Sequence, residues 1–175
     1  MTSNQPPEFN QPLDLVLNED APLQSIALTG ISSGDGVQQP VRVSATSSNP
    51  GLIPAPTVSY ANSSDTGSLV VAPVANQHGI STITVTVEDG GLDNNLETAD
   101  DNAIVSQAFE VTVTSVNDPG SFSGDTSATG SEDDAAITGT LVFTDAIDGD
   151  SAPSYTICLL YTSDAADEED SEDLG

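Results

Sequence analysis

Short motifs recur along this chain at one fixed spacing, and that spacing constrains every fold it could adopt. Asn18-Glu19-Asp20 returns as Ser131-Glu132-Asp133, 113 positions later. Asn4, Pro6 and Phe9 return at the same offset as Asn117, Pro119 and Phe122. A gapless offset kept at separate places marks a tandem unit of about 113 residues, closing near Asp118 where the next one opens. In 175 residues there is room for one full unit and part of a second.

Within a unit, runs of β-branched residues alternate with turn chemistry. Leu13–Leu17 places Leu13, Leu15 and Leu17 on one face of a first strand. Strands follow at 25–29, 41–46, 57–60 and 68–72, with prolines at 50, 54 and 56 arguing against a central strand between them. The clearest alternation is Ile83, Val85 and Val87 against Thr82, Thr84 and Thr86, followed by Phe109, Val111 and Val113 against Glu110, Thr112 and Thr114. That pattern predicts antiparallel strands with one face on a core and one in water. Seven short strands in such a length predict an all-β fold, a seven-strand antiparallel β-sandwich over 1–118. A truncated second β module over 119–157 would carry a strand at 137–144 and a start at 155–157. Residues 158–175, CLLYTSDAADEEDSEDLG, break the pattern and read as a non-native or disordered acidic tail.

Charge narrows the function. The chain has 28 Asp and Glu against a single Lys or Arg, a formal charge of −27. Such a field repels phosphates and anionic lipid, which argues against nucleic acid and membrane partners, and it attracts cations. The acids cluster at 18–20, 88–101, 132–134 and 145–150, whereas Thr and Ser take the outward strand positions. One cysteine, Cys158, allows no intrachain disulfide. Bound calcium is the expected staple of an acidic β-protein that lacks them. No run of apolar residues is long enough to span a bilayer.

The segments QPPEF, SSNPGLIPAPTVSY, GISTITVTVEDGGLDNN and FEVTVTSVNDPG resemble the immunoglobulin-like or cadherin-like repeats of very large bacterial surface and secreted proteins. SFSGDTSATGSEDDAAITGTLVFTDAIDGDS is similar to the start of a VCBS repeat. The resemblance covers roughly residues 3–157. It implies an extracellular or cell-surface location, a non-catalytic structural or adhesive role, and calcium as cofactor. Neighbouring modules of the same chain would be the first partners, and a cell-surface protein or glycan the target of an adhesin. The alternative is a spacer region of a large secreted carbohydrate-active enzyme.

Strand direction gives the calcium expectation a geometry. Odd-numbered strands of a seven-strand sandwich run the same way, so the turn after strand one and the end of strand seven share a pole. Asn18-Glu19-Asp20 should therefore meet Asn117-Asp118 there, facing the turn Asp145–Asp150 of the second module. By the cadherin resemblance, Glu19, Asn117, Asp118, Asp145 and Asp148 are carried over as ligands. Asp20 and Asp150 belong to the same acidic turns. The turn 74–79 lacks the acid that cadherins place there, and Asp145 and Asp148 are more widely spaced than the cadherin pair. At the opposite pole, Asp89 and Asp93, with Asp35, form a second expected calcium cluster. Turn chemistry alone would also favour Asp, Asn and Gly in these places.

Catalytic signatures are sparse. Asp65-Thr66-Gly67-Ser68 spells an aspartic-protease phrase, but no apolar strand leads into it and no second copy supplies a partner carboxylate. The lone His78 lacks a nucleophile elbow, and no phosphate-cradling glycine loop is present. Arg42 should pair with a neighbouring acid on the sheet surface.

Overall fold

The computed structural model describes residues 3–125, 127–130 and 138–145. The strand expected at 155–157, the tail, and the acids Asp148 and Asp150 lie outside the described residues.

The alternating segments form two facing sheets. One orders β1 (Leu15–Asn18), β7 (Ile104–Thr114), β6 (Gly79–Asp89) and β3 (Val41–Ser47); the other orders β2 (Gln24–Thr29), β5 (Thr66–Val71) and β4 (Thr57–Tyr60). This is an all-β immunoglobulin-like sandwich. Every pairing is antiparallel except that of β1 with β7, which is parallel, Leu15 lying opposite Val111 and Asn18 opposite Thr114. The inward residues of β6, namely Ile83, Val85 and Val87, are wholly buried, as are Leu28, Leu69 and Val111 of their neighbours. Each such side chain contributes about 1.5–3 kcal/mol through burial. Their outward partners on β6 are Thr82, Thr84 and Thr86, whose branched side chains suit a pleated, half-wetted face.

The chain reaches β1 by crossing between the sheets. Glu8 and Ser32 exchange backbone hydrogen bonds and the Asn10 amide donates to Thr29, so the first segment lies against the end of β2. After the buried Pro12 the chain joins the other sheet as β1. Phe9 plugs the core at this crossing. Gly34 is required nearby: its φ is +85°, and a Cβ there would sit 1.9 Å from the Pro6 carbonyl oxygen.

Two sequence expectations fail here. Leu13 does not join Leu15 and Leu17 inside; it is 86% exposed and precedes β1, because the crossing after Pro12 delays the pairing with β7. The last strand also begins at Ile104 and not at Phe109, its first half pairing with β6 from Glu88 onward. Ser106 and Ala108 on its outer face obscure the alternation there.

Beyond the sandwich, β8 (Ser121–Gly124) pairs with β9 (Leu141–Thr144), Phe122 meeting Phe143 at a ring-centroid distance of 5.0 Å. Their register repeats the earlier crossing. Asn10 bonds to Thr29, and the residues 113 positions later, Ser123 and Val142, are partners as well.

Candidate functional site

At the trailing pole, where β1 and β7 end, the chain brings Glu19 to Val116. Glu19 is buried, and its Oε1 accepts the Val116 amide at 2.7 Å. Its Oε2 lies 3.9 Å from Nδ1 of the exposed His78. Asp20 takes a left-handed backbone, φ 60°, and its Oδ1 accepts the amide of Asn76, itself at φ 57°. The loop that lacks the cadherin acid is thus held by Asp20 through its backbone. The Asn117 amide donates to the Asp118 carbonyl. Glu19, Asp20 and the segment leading to Asn117-Asp118 therefore share one pole, as strand direction requires. Asp145 follows β9 and is half-buried.

At the leading pole the centre is Asp89, the last residue of β6 and fully buried. Its Oδ1 accepts three donors: Nδ2 of Asn4 at 2.9 Å, and the amides of Gly91 and Ala103 at 3.0 Å each. Asn4 Nδ2 also donates to the Asp101 carbonyl, while Asn4 Oδ1 accepts from Nε2 of the buried Gln39. Gln39 Nε2 reaches Asp35 Oδ2 at 2.8 Å, and Asn102 donates to Glu88. This web joins the first segment to both long loops of the pole.

Its oxygens are not all satisfied. Asp89 Oδ2, Gln39 Oε1 and Asn102 Oδ1 are buried without a hydrogen-bond partner. An acceptor left in that state is unfavourable by about 1–3 kcal/mol, and more when charged. All three are hard oxygen donors, the ligand type calcium takes. Asp93 is placed differently: its oxygens cap the Asn95 amide and the Thr98 hydroxyl within its own loop. Among the described residues, no three His, Cys, Asp or Glu side chains gather as a metal-holding group. A cation at the leading pole would thus be held by one carboxylate with amide oxygens, a set that a search for acids alone overlooks.

Asn4 was within reach of sequence reasoning, since its copy Asn117 belongs to the repeat. Gln39 and Asn102 carry no comparable signal. Arg42 pairs with Glu88 at 2.8 Å and reaches Glu97 at 3.4 Å and the Leu96 carbonyl at 3.2 Å, stapling the loop after β6 to the sheet. Its hydrogen bond to Glu88, reinforced by charge, raises the guanidinium pKa and lowers that of the Glu88 carboxyl.

The protease-like phrase dissolves into structure: Thr66 and Gly67 lie within β5, and the Asp65 carbonyl accepts the Ile31 amide. Asn62 of the Asn-Ser-Ser phrase has its side-chain oxygen on the Val41 amide.

No family model matches the chain, and no curated protein matches it. Among solved structures it is similar to titin domains Z1Z2 in complex with telethonin, at 18% identity and a TM-score of 0.39, over 70% of this chain and 54% of that one. It is also similar to the surface layer protein SbsC, domains 4–9, at 16% identity and a TM-score of 0.36, over 74% of this chain and 18% of that one. A longer piece of that S-layer protein gives 14% identity and a TM-score of 0.37, over 79% of this chain and 22% of that one. The chain therefore spans about half of the titin pair and about a fifth of the S-layer chains.

Proposed function

We propose that this chain is a non-catalytic module of a large extracellular bacterial repeat protein, acting in a stalk or adhesin, with calcium bound at its poles. The observation that carries the reading is the duplicated strand register, Asn10 with Thr29 and Ser123 with Val142, which supports a tandem array. Termini at opposite poles suit such an array, since one module can hand over directly to the next.

Calcium supplies a compact divalent charge that lowers repulsion among carboxylates and takes oxygen donors in irregular geometry. At the leading pole Asp89, Gln39 and Asn102 would hold it, and Asn4 would fix Asp89 in place. At the trailing pole Glu19, Asp20, Asn117 and Asp118, with Asp145 and the undescribed Asp148 and Asp150, are the proposed set joining one module to the next. A glycan or cell-surface protein as the adhesive target belongs to the same proposal. So does the narrower role of spacing a carbohydrate-active enzyme.

The test is calorimetric melting of the full chain in 10 mM calcium and in chelator, with about 1.4 kcal/mol of added stability expected for a site of roughly 1 mM dissociation constant. Asp89→Asn should remove most of that gain. A melting temperature indifferent to calcium would leave only the acidic spacer.

A further inference from the structure

We propose that the parallel pairing of β1 with β7 is a force-bearing clamp, loaded in shear when the module is pulled through its two ends. The inference rests on the reading of the chain as a tandem spacer, but its test is independent of calcium.

The argument starts from direction. Because β1 and β7 run the same way, the chain arrives at the leading pole and departs from the trailing one. Tension applied through both ends draws β1 toward the first pole and β7 toward the second. The strands must then slide past each other, so the bonds between them carry the load together and cannot open one after another.

This seam is reinforced well beyond its four residue pairs, Leu15–Asn18 with Val111–Thr114. The Glu19 amide donates to the Thr114 carbonyl, and the Glu110 amide to Asp14 Oδ1 at 2.8 Å. Gln11 Nε2 reaches the Ala108 carbonyl at 3.0 Å, and Thr114 Oγ1 reaches the Leu17 carbonyl at 3.1 Å. Side chains thus extend the tie at both ends of a short strand. The preceding segment has less: two bonds between Glu8 and Ser32 and one from Asn10 to Thr29. Under tension it should release first and transfer the load to β1.

The turn after β4 offers a control direction. Ser63 is exposed there, and the neighbouring Asp65 carbonyl accepts the Ile31 amide at the end of β2, so the turn lies at the leading pole. Handles at residues 3 and 63 pull across that pole and leave the β1–β7 seam unsheared.

Forced unfolding is governed by the unfolding rate along the loaded direction and not by overall stability. Single-molecule pulling of the full chain, with Cys158→Ser and handles at Ser3→Cys and Ser115→Cys, should give unfolding forces several-fold above those with handles at Ser3→Cys and Ser63→Cys. A short release should precede the main rupture along the first axis. Adding Gln11→Ala and Thr114→Val should lower the force along that axis alone. Equal forces in the two directions overturn the clamp, as does a double variant that weakens both directions alike or neither.

Discussion

Phe9 and Phe122 hold matching places in two copies of one strand pairing, yet the first is 6% exposed and the second 44%. Leu28 and Leu141 differ in the same way, at 0% and 41%. The hydrogen-bond register is common to both copies, so pairing alone does not bury these side chains. Around Phe9 and Leu28 the core is closed by residues of the facing sheet, Ile83, Phe109 and Val111 among them. A two-stranded pairing has no opposite face of its own and is marginal in water. Register is therefore a local property of the repeat, while burial depends on strands far away in the chain.

The largest expected effect would break this comparison outright. Phe9→Ala should destabilise the sandwich by about 3–5 kcal/mol in denaturant unfolding, as a large core deletion does. Phe122→Ala should leave the same transition within about 0.5 kcal/mol, as for surface changes. Equal losses would mean that the two regions share one core.

A second pair sharpens the contrast at polar positions. Asp89 and Asp125 each accept a backbone amide, but Asp89 is fully buried with three donors, whereas Asp125 is exposed and bonds to Thr140. In chelator, Asp89→Ala should therefore lower stability by about 1–3 kcal/mol, while Asp125→Ala stays near neutral. Hydrogen exchange at Gly91 and Ala103 would report the loosening directly.

Much of the sandwich was legible because β-strands with one wet face write their burial as alternation. Val85 beside Thr84 and Thr86 leaves little choice of period. Leu13 misled for the same reason: it fits the period, but the period carries no information about a chain crossing from one sheet to the other. Ile104–Ala108 was missed because small and polar residues there alternate weakly. At the poles, strand direction alone brought Glu19 and the Asn117-Asp118 segment to one end. The leading web was only half visible. Asp89 lies in an acidic phrase and Asn4 in a repeat, but Gln39 and Asn102 enter through loop geometry that composition does not encode.

The smallest effect concerns the only cation the sandwich has. Arg42 lowers the Glu88 carboxyl pKa in the folded state, chiefly through its hydrogen bond. That contribution is present above the ordinary glutamate range and is lost as pH falls through the lowered folded value. Glu88→Gln should therefore flatten the acid side of the stability curve and leave neutral pH little changed. The β8–β9 pair contains no Lys, Arg or His and should show no such feature.

Strand direction has one more consequence, and it concerns size. The longest strands hold 11 residues, so a sandwich stands about 35 Å tall at roughly 3.3 Å per residue. Since the backbone crosses that height an odd number of times, every gene-level duplication of the unit adds its full height to the span. Distance from the cell could then be adjusted in evolution by copy number, with no change to any side chain.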